Sequence, residues 1–351
     1  MDRYDRQRRV KQIGPAGQEK ISNAHVIVVG LGALGSYAAA QLIRAGVGKL
    51  TLVDPDQLAW SNLQRQALYT EADVEQQRLK VTAAKQHLLA INKNAAITAL
   101  PTPLTEEVVQ AGDFNLVLDC LDNFAGRELL NALAIKYHFP YLFASCAGTF
   151  GNVMAIKPDG RTPCLRCLYP NLDQLKQTDC DLIGVLTPLV TLVAGWQVAL
   201  TLKYLTQPDQ VDWQRLTTID AWSMEVHHYQ IQTAADCLAC QTDQVLFPPT
   251  ATRQVQSLCG TKTYQYQLQS HPPIDELALW LTDRQIEVQP GLHYLTFQWR
   301  GLTMSLFENG RLLLYGSQDL AAASATIRNF LTATQAIIKE DPDAICSVNH
   351  Q

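Results

Sequence analysis

The stretch VIVVGLGALGSYAAAQLIRAGVGKLTLVD, Val26 to Asp54, constrains the fold more than any other part of the chain. An apolar run rich in β-branched residues meets Gly30, Gly32 and Gly35 in G-x-G-x-x-G spacing. A helical stretch closed by glycine follows, and then a second apolar run that ends in Asp54. Glycines at these positions let the backbone approach a phosphate, while the start of the helix supplies unpaired N–H groups and the positive end of its dipole. A carboxylate about 20 residues on can accept hydrogen bonds from ribose hydroxyls. The pattern fits any ribose-bearing nucleotide and does not choose between NAD and ATP; a tight strand–helix turn with no ligand is the plain alternative.

The alternation continues. Helical VEQQRLKVTAAKQHLLAIN, strands AAITAL and FNLVLDC, helix FAGRELLNALAIKYH and strand PYLFASC follow in turn. Strands alternating with helices imply a mostly parallel, Rossmann-like sheet with helices on both faces. From Gly151 the pattern changes to short strands around one long helical stretch, from about Thr187 to Leu205, which is expected to complete the same domain, residues 1–248. After the linker FPPTATRQ, residues 254–351 carry an Asn-Gly hairpin, TMSLFENGRLLLYG, and helical DLAAASATIRNFLTATQAIIK. They read as a small α+β appendage.

With 351 residues, 47% hydrophobic and 17% charged, the chain can bury two or three cores. The net charge of -5 gives no electrostatic reason to expect nucleic acid or an anionic membrane as partner. The polar opening MDRYDRQRRVKQIG does not read as a signal peptide, and no run is expected to reach the roughly 20 apolar residues of a membrane span. A cytoplasmic setting is the expectation.

Two polar clusters follow strand ends. DPDQLAWSNLQRQ places Asp56, Ser61, Asn62, Arg65 and Gln66 beyond the second strand, where ligands bind in open α/β sheets. A solvated loop capped by Ser61 or Asn62 is the plainer reading. DCLDNFAGR gathers Asp119, Asp122, Asn123 and Arg127. Asp122 is suited to a magnesium ion bridging phosphates, since magnesium takes hard oxygen ligands; a helix cap at Asp122 or Asn123 is equally ordinary chemistry. Lys80, taken alone, looks like a solvated surface lysine.

The cysteines are more specific. Cys164 and Cys167 form one C-x-x-C pair and Cys237 and Cys240 another, with 69 residues between them. Two such turns make a closed tetrahedral Cys₄ zinc site, with redox chemistry as the alternative. Four thiolates leave no open position, so the zinc would clamp distant parts of one domain. Cys180, in a polar segment before the long helix, has the setting of a nucleophile or of a buried spectator.

RYDRQ at Arg3–Gln7, GLGALG, LVDPDQLAWSNLQRQ, Lys80, DCLDNFAGR, both C-x-x-C pairs and CDLIGVLTPLV occur in one order. In this combination, over about residues 3 to 243, the chain resembles the ThiF/MoeB/HesA family, bacterial relatives of ubiquitin-activating enzymes. The resemblance implies ATP-dependent adenylation of the C-terminal Gly-Gly carboxylate of a ubiquitin-like sulfur carrier, of the MoaD or ThiS type. It assigns Arg65 and Lys80 to phosphates, Asp122 to Mg2+, Asp54 to ribose, and Asn62 and Gln66 to a hydrogen-bond network on the phosphate side. Asp56 and Asn123 belong to the same nucleotide loops. Arg6 is implied to enter a partner subunit's site, hence a homodimer, and Cys180 matches the cysteine of sulfur transfer.

The chain departs from the family pattern at Ala33, Thr187, Thr191, Ala194 and Leu200, and no persulfide-forming rhodanese loop is evident around Cys259 or Cys346. Competing readings are an NAD-dependent oxidoreductase, a catalytically silent carrier-binding scaffold, and adenylation of a different acceptor such as a peptide or a tRNA-derived substrate.

Overall fold

The computed structural model describes residues 3–110, 112–172, 184–242, 255–258, 263–268, 272–291, 294–307 and 310–342. The chain forms two compact units, Met1–Pro248 and Pro249–Gln351. The first contains α1 (Asp5–Arg8), α2 (Gly14–Asn23), β1 (His25–Val29), α3 (Ala33–Ala45), β2 (Lys49–Val53), α4 (Glu71–Glu75), α5 (Lys80–Ile91), β3 (Ala96–Leu100), α6 (Glu106–Gln110), β4 (Leu116–Asp119), α7 (Phe124–Tyr137), β5 (Tyr141–Ala147), β6 (Phe150–Ile156), α8 (Leu165–Leu168), α9 (Thr187–Thr206), β7 (Arg215–Asp220) and β8 (Glu225–Gln230).

The strands form one sheet in the order β3-β2-β1-β4-β5-β6-β7-β8. The first five are parallel, and β6, β7 and β8 are antiparallel. Every residue of β4 is buried, as are four of the five in β1 and in β2. That is why these strands read as unbroken apolar runs: helices cover both of their faces. The chain runs outward from β1 to β3 and returns to β4, so the loops that leave β1 and β4 diverge and open a crevice at their carboxyl ends.

Two glycines shape that crevice. Gly30 has φ +89, and a Cβ there would stand 2.6 Å from the Cys120 carbonyl oxygen at the end of β4. A Cβ on Gly35 would lie 1.9 Å from the Gly30 carbonyl oxygen. Helix α3 therefore meets β1 with no room for a side chain between them.

Two sequence expectations are corrected here. Residues 74–92 do not form one helix: Gln77 takes φ 51, α4 ends before it, and α5 starts afresh at Lys80. The expectation that no run reaches spanning length is also corrected: α9 has 20 residues, and an 18-residue stretch of it has a mean hydropathy of 1.3, enough to cross a membrane by length and composition. Helix α9 packs on α3, α2, β5 and β6, which makes it a core helix.

The second unit comprises β9 (Gln256–Leu258), β10 (Thr263–Gln267), α10 (Ile274–Thr282), β11 (Val288–Pro290), β12 (Tyr294–Trp299), β13 (Leu302–Phe307), β14 (Arg311–Tyr315) and α11 (Leu320–Ala333). Its antiparallel sheet has the order β11-β12-β13-β14-β10-β9. Strands β13 and β14 pair antiparallel where the hairpin was expected; Gly310 has φ +81, and Asn309 lies outside the described residues. The Asp319 side chain caps α11 by accepting from the Ala322 N–H at 2.8 Å. Phe297, Trp299, Leu277, Ile327 and Phe330 belong to the unit's core.

Candidate active site

The loop after β2 is fastened over the glycine turn. The Tyr69 hydroxyl donates to the Leu31 carbonyl at 2.7 Å, and the Ala67 N–H donates to Ser36 Oγ at 3.1 Å. These ties bring Gln66 over Gly32, with Nε2 3.7 Å from where a Cβ would stand. Gln66 is buried, and its Oε1 has no hydrogen-bond partner among the described residues. An orphaned acceptor beside an open glycine turn is a polar group positioned for a ligand. Asn62 closes the one-turn helix Trp60–Asn62 by accepting from the Ala59 N–H at 2.9 Å. Arg65 donates to the Ser61 carbonyl at 2.8 Å while remaining partly exposed.

Lys80 is buried, contrary to its surface-like look in the sequence. Its backbone N–H donates to the Asp56 carbonyl at 2.9 Å. Its Nζ lies 2.9 Å from Asp56 Oδ2 and 3.9 Å from Asp54 Oδ2. Burial alone would lower the lysine's pKa, but Asp54 and Asp56 outweigh it and the net shift is upward. Asp122 adds to the field on the same amine, so the two acidic loops act on one cation. Asp54 accepts from the Leu31 N–H at 2.7 Å and from the Asp56 N–H at 2.8 Å. Burial pushes its carboxyl up to about 6, against the pull of Lys80.

The loop after β4 divides by role. Asp122 is exposed at the crevice and accepts from Asn123 Nδ2 at 3.1 Å. Asn123 is the N-cap of α7, its Oδ1 accepting from the Gly126 N–H at 2.8 Å. Asp119 and Arg127 do not join them at the surface. Asp119 is fully buried, Arg127 nearly so, and they lie 3.7 Å apart. Burial pushes the Asp119 carboxyl up to about 6, opposed by Arg127.

Arg6 sits elsewhere. Gln7 beside it donates to the Ala45 carbonyl at 2.8 Å, and the Tyr4 ring fills the space where Gly46 has no side chain. Both anchors hold the carboxyl end of α3. With 13 residues, α3 spans about 20 Å at 1.5 Å per residue, which separates exposed Arg6 from its own glycine turn. Cys180 lies outside the described residues.

Cys164, Cys167, Cys237 and Cys240 converge, their sulfurs all within 4.8 Å of one another. The distances are 3.9 Å for Cys164–Cys167, 3.7 Å for Cys164–Cys237 and 3.6 Å for Cys167–Cys240. A tetrahedron with Zn–S bonds of about 2.3 Å has edges of about 3.8 Å, whereas a disulfide needs about 2.0 Å. The group can hold a metal ion, and its geometry fits zinc.

The ThiF family model matches residues 4–240. The chain belongs to the ThiF family. It is 33% identical over 336 residues to the "Sulfur carrier protein ThiS adenylyltransferase" of Bacillus subtilis, covering 94% of this chain and 99% of that protein. It is 33% identical over 242 residues to the "Molybdopterin-synthase adenylyltransferase" of Salmonella typhimurium, covering 68% of this chain and 96% of that protein. By this kinship the chain is an adenylyltransferase of the ThiF/MoeB type. Among solved structures, Escherichia coli MccB with MccA-N7isoASN shares the fold at a TM-score of 0.59 and 19% identity, over 69% of this chain and 74% of that one. The Bacillus alignment is longer than the first unit, so it extends into the second.

Sequence reasoning missed Ser36 and Tyr69, which bind the polar loop to the glycine turn, and Gln197, buried beneath it. Gln197 had a visible signal, a lone amide in the apolar run TPLVTLVAGWQVALTL.

Two outcomes follow from this geometry. Asp54 has its pKa raised from 3.8 to about 6 on folding, so between those values the folded chain binds more protons than the unfolded one. Burying the ionised carboxylate therefore lowers stability as pH rises through this window. In urea denaturation at pH 4, 5 and 6, Asp54→Asn should gain on the parent with rising pH, by at most about 1.4 kcal/mol per pH unit; a pH-independent difference contradicts the raised pKa. For the cysteines, native mass should exceed denatured mass by one zinc per first unit, and chelation should lower Tm by several degrees. An unchanged native mass excludes the metal.

Proposed function

We propose that this chain uses ATP to adenylate the C-terminal Gly-Gly carboxylate of a ubiquitin-like sulfur carrier of the ThiS type. The choice of a ThiS-type over a MoaD-type carrier is supported by the Bacillus relative, whose similarity extends across nearly the whole of both chains. The observation that carries the chemistry is Lys80, a cation fixed between two carboxylates beside a glycine turn. The reaction brings two anions together, a carboxylate and the α-phosphate of ATP, and expels pyrophosphate. Cations held in place before reaction stabilise the charge that builds up, and they do so without reorganisation.

In this reading the glycine turn and the start of α3 receive phosphate, and Gln66 Oε1 accepts from a donor on the nucleotide such as a ribose hydroxyl. Lys80 and Arg65 balance the triphosphate, and Asp54 sets Lys80 while lying toward the ribose. Asp122 holds Mg2+, which when bound screens the pyrophosphate oxygens. The four cysteines hold a structural zinc. A silent scaffold would be expected to lose such groups, yet Arg6, Arg65, Lys80 and Asp122 are all present. A dinucleotide oxidoreductase leaves the convergence of Lys80, Asp56 and Asp122 unexplained. Because Arg6 is anchored at the far end of α3, its role is to complete the site of a second copy in a homodimer.

Exchange of labelled pyrophosphate into ATP should depend on a carrier ending in Gly-Gly and vanish with the truncated carrier. Lys80→Ala should lower kcat about 10²- to 10³-fold. No exchange with any cognate carrier refutes adenylation. Mixing inactive Arg6→Ala and Asp122→Ala homodimers should restore part of the activity, since each hybrid pairs one intact site with one intact arginine; no recovery refutes the donated arginine.

A further inference from the structure

Two buried side chains approach the carboxyl ends of β4 and β5 from different helices. Gln197, on α9, is 0% exposed. Its Nε2 donates to the Asp119 carbonyl at 3.0 Å and to the Leu142 carbonyl at 2.8 Å. Its Oε1 accepts from the Cys120 thiol at 3.4 Å. Arg127, on α7, donates through Nη2 to the Ala144 carbonyl at 3.0 Å and to the Leu121 carbonyl. Its guanidinium lies 5.4 Å from the Phe124 ring centre and 5.0 Å from that of Phe143.

The β4–β5 register ends at Asp119↔Phe143. Leu121 and Ala144 lie beyond it, so the two strands are joined there by Arg127. Gln197 bridges the last two rungs of the ladder, through Asp119 and Leu142. It also holds Cys120, whose carbonyl lies against Gly30 and whose Cβ is 3.4 Å from a Cβ built on Gly35. Asp122 is the next residue along from this doubly held segment, 119–121. A carboxylate that must meet both a metal ion and a nucleotide needs a fixed backbone beneath it, because errors of an ångström are costly.

We propose that Gln197 and Arg127 form a clamp across β4 and β5 that positions Asp122 for Mg2+–ATP, which makes Gln197 a positioning residue with no substrate contact. The inference rests on the proposed role of Asp122, but it requires no acceptor protein. It also explains why an otherwise apolar helix carries a buried amide, since every hydrogen-bonding atom of that amide is satisfied on the loop's supports.

The test is ATP binding by calorimetry with the full chain, with and without Mg2+, for the parent, Gln197→Met and Arg127→Lys. Methionine matches glutamine in length and removes the hydrogen bonds; lysine keeps the charge but loses the planar guanidinium that lies against Phe124 and Phe143 and places Nη2 on the Leu121 and Ala144 carbonyls. Circular dichroism and zinc content report folding, and because the clamp has two sides, loss of one variant to misfolding leaves the other to decide. The expected result is that ATP affinity without Mg2+ stays within about twofold of the parent while the tightening produced by Mg2+ shrinks about tenfold or more, the order of effect seen when groups supporting a metal ligand are removed. The proposal is overturned if the Mg2+-dependent tightening is unchanged, or if affinity falls equally with and without Mg2+, as general loosening would produce. Failure of carrier-dependent exchange in the parent, with normal Mg2+–ATP binding, would instead refute the acceptor reading and leave the clamp intact.

Discussion

Helix α3 meets strand β1 without a side chain between them, and the rest of the site depends on that contact. The Cβ that Gly35 lacks would stand 1.9 Å from the Gly30 carbonyl oxygen. No rotamer change relieves a clash with backbone, so any larger residue must push the helix away from the sheet. The start of α3 would move with it, along with its exposed N–H groups and dipole. The polar loop is bound to the same place through Tyr69 and Ser36, so Gln66 would lose its position too. One close approach of helix and strand thus fixes the backbone of the glycine turn and the side chains laid over it.

The second constraint is electrostatic. Burying Lys80 beside Asp54 and Asp56 is unfavourable for each charge taken singly, and removing one partner leaves the others poorly compensated. Such a group is weak evidence for stability and better evidence for function. A lysine immobilised by two carboxylates loses little freedom when an anion arrives. Arg65, partly exposed and bonded among the described residues to the Ser61 carbonyl of its own loop, suits a residue that moves onto phosphate when nucleotide enters. The two cations therefore differ in kind, one preset and one adaptable.

Much of the fold was legible because its determinants are local. Unbroken apolar runs bury strands on both faces, glycines mark the turn, and paired cysteines mark the clamp. The unread parts depend on distant partners or on turns without a sequence mark. The break at Gln77 uses a positive φ with no glycine or proline, so residues 74–92 looked continuous and Lys80 looked like mid-helix surface. Arg127 and Asp119 sit in a polar stretch that reads as one cluster with Asp122 and Asn123, yet Phe124 and Phe143 flank the guanidinium and the sheet hides the acid. Gln197 finds its acceptors 55 and 78 residues away, beyond any local pattern.

The clamp and the cysteine group place restraints at different points of one path. Chain leaving β4 passes Asp122, enters α7, returns through β5 and β6, and reaches Cys164 and Cys167 at α8. Arg127 and Gln197 fix the start of that path at the carboxyl ends of the central strands β4 and β5. Cys237 and Cys240 fix its far end by holding residues that follow β8 against those that follow β6. Helix α9 carries part of the first restraint itself: its first residue, Thr187, contacts Gln64 of the polar loop, and its middle carries Gln197. A displacement of α9 would therefore be felt at two nucleotide loops together, whereas a displacement of either loop alone is resisted by the helix packed across the sheet.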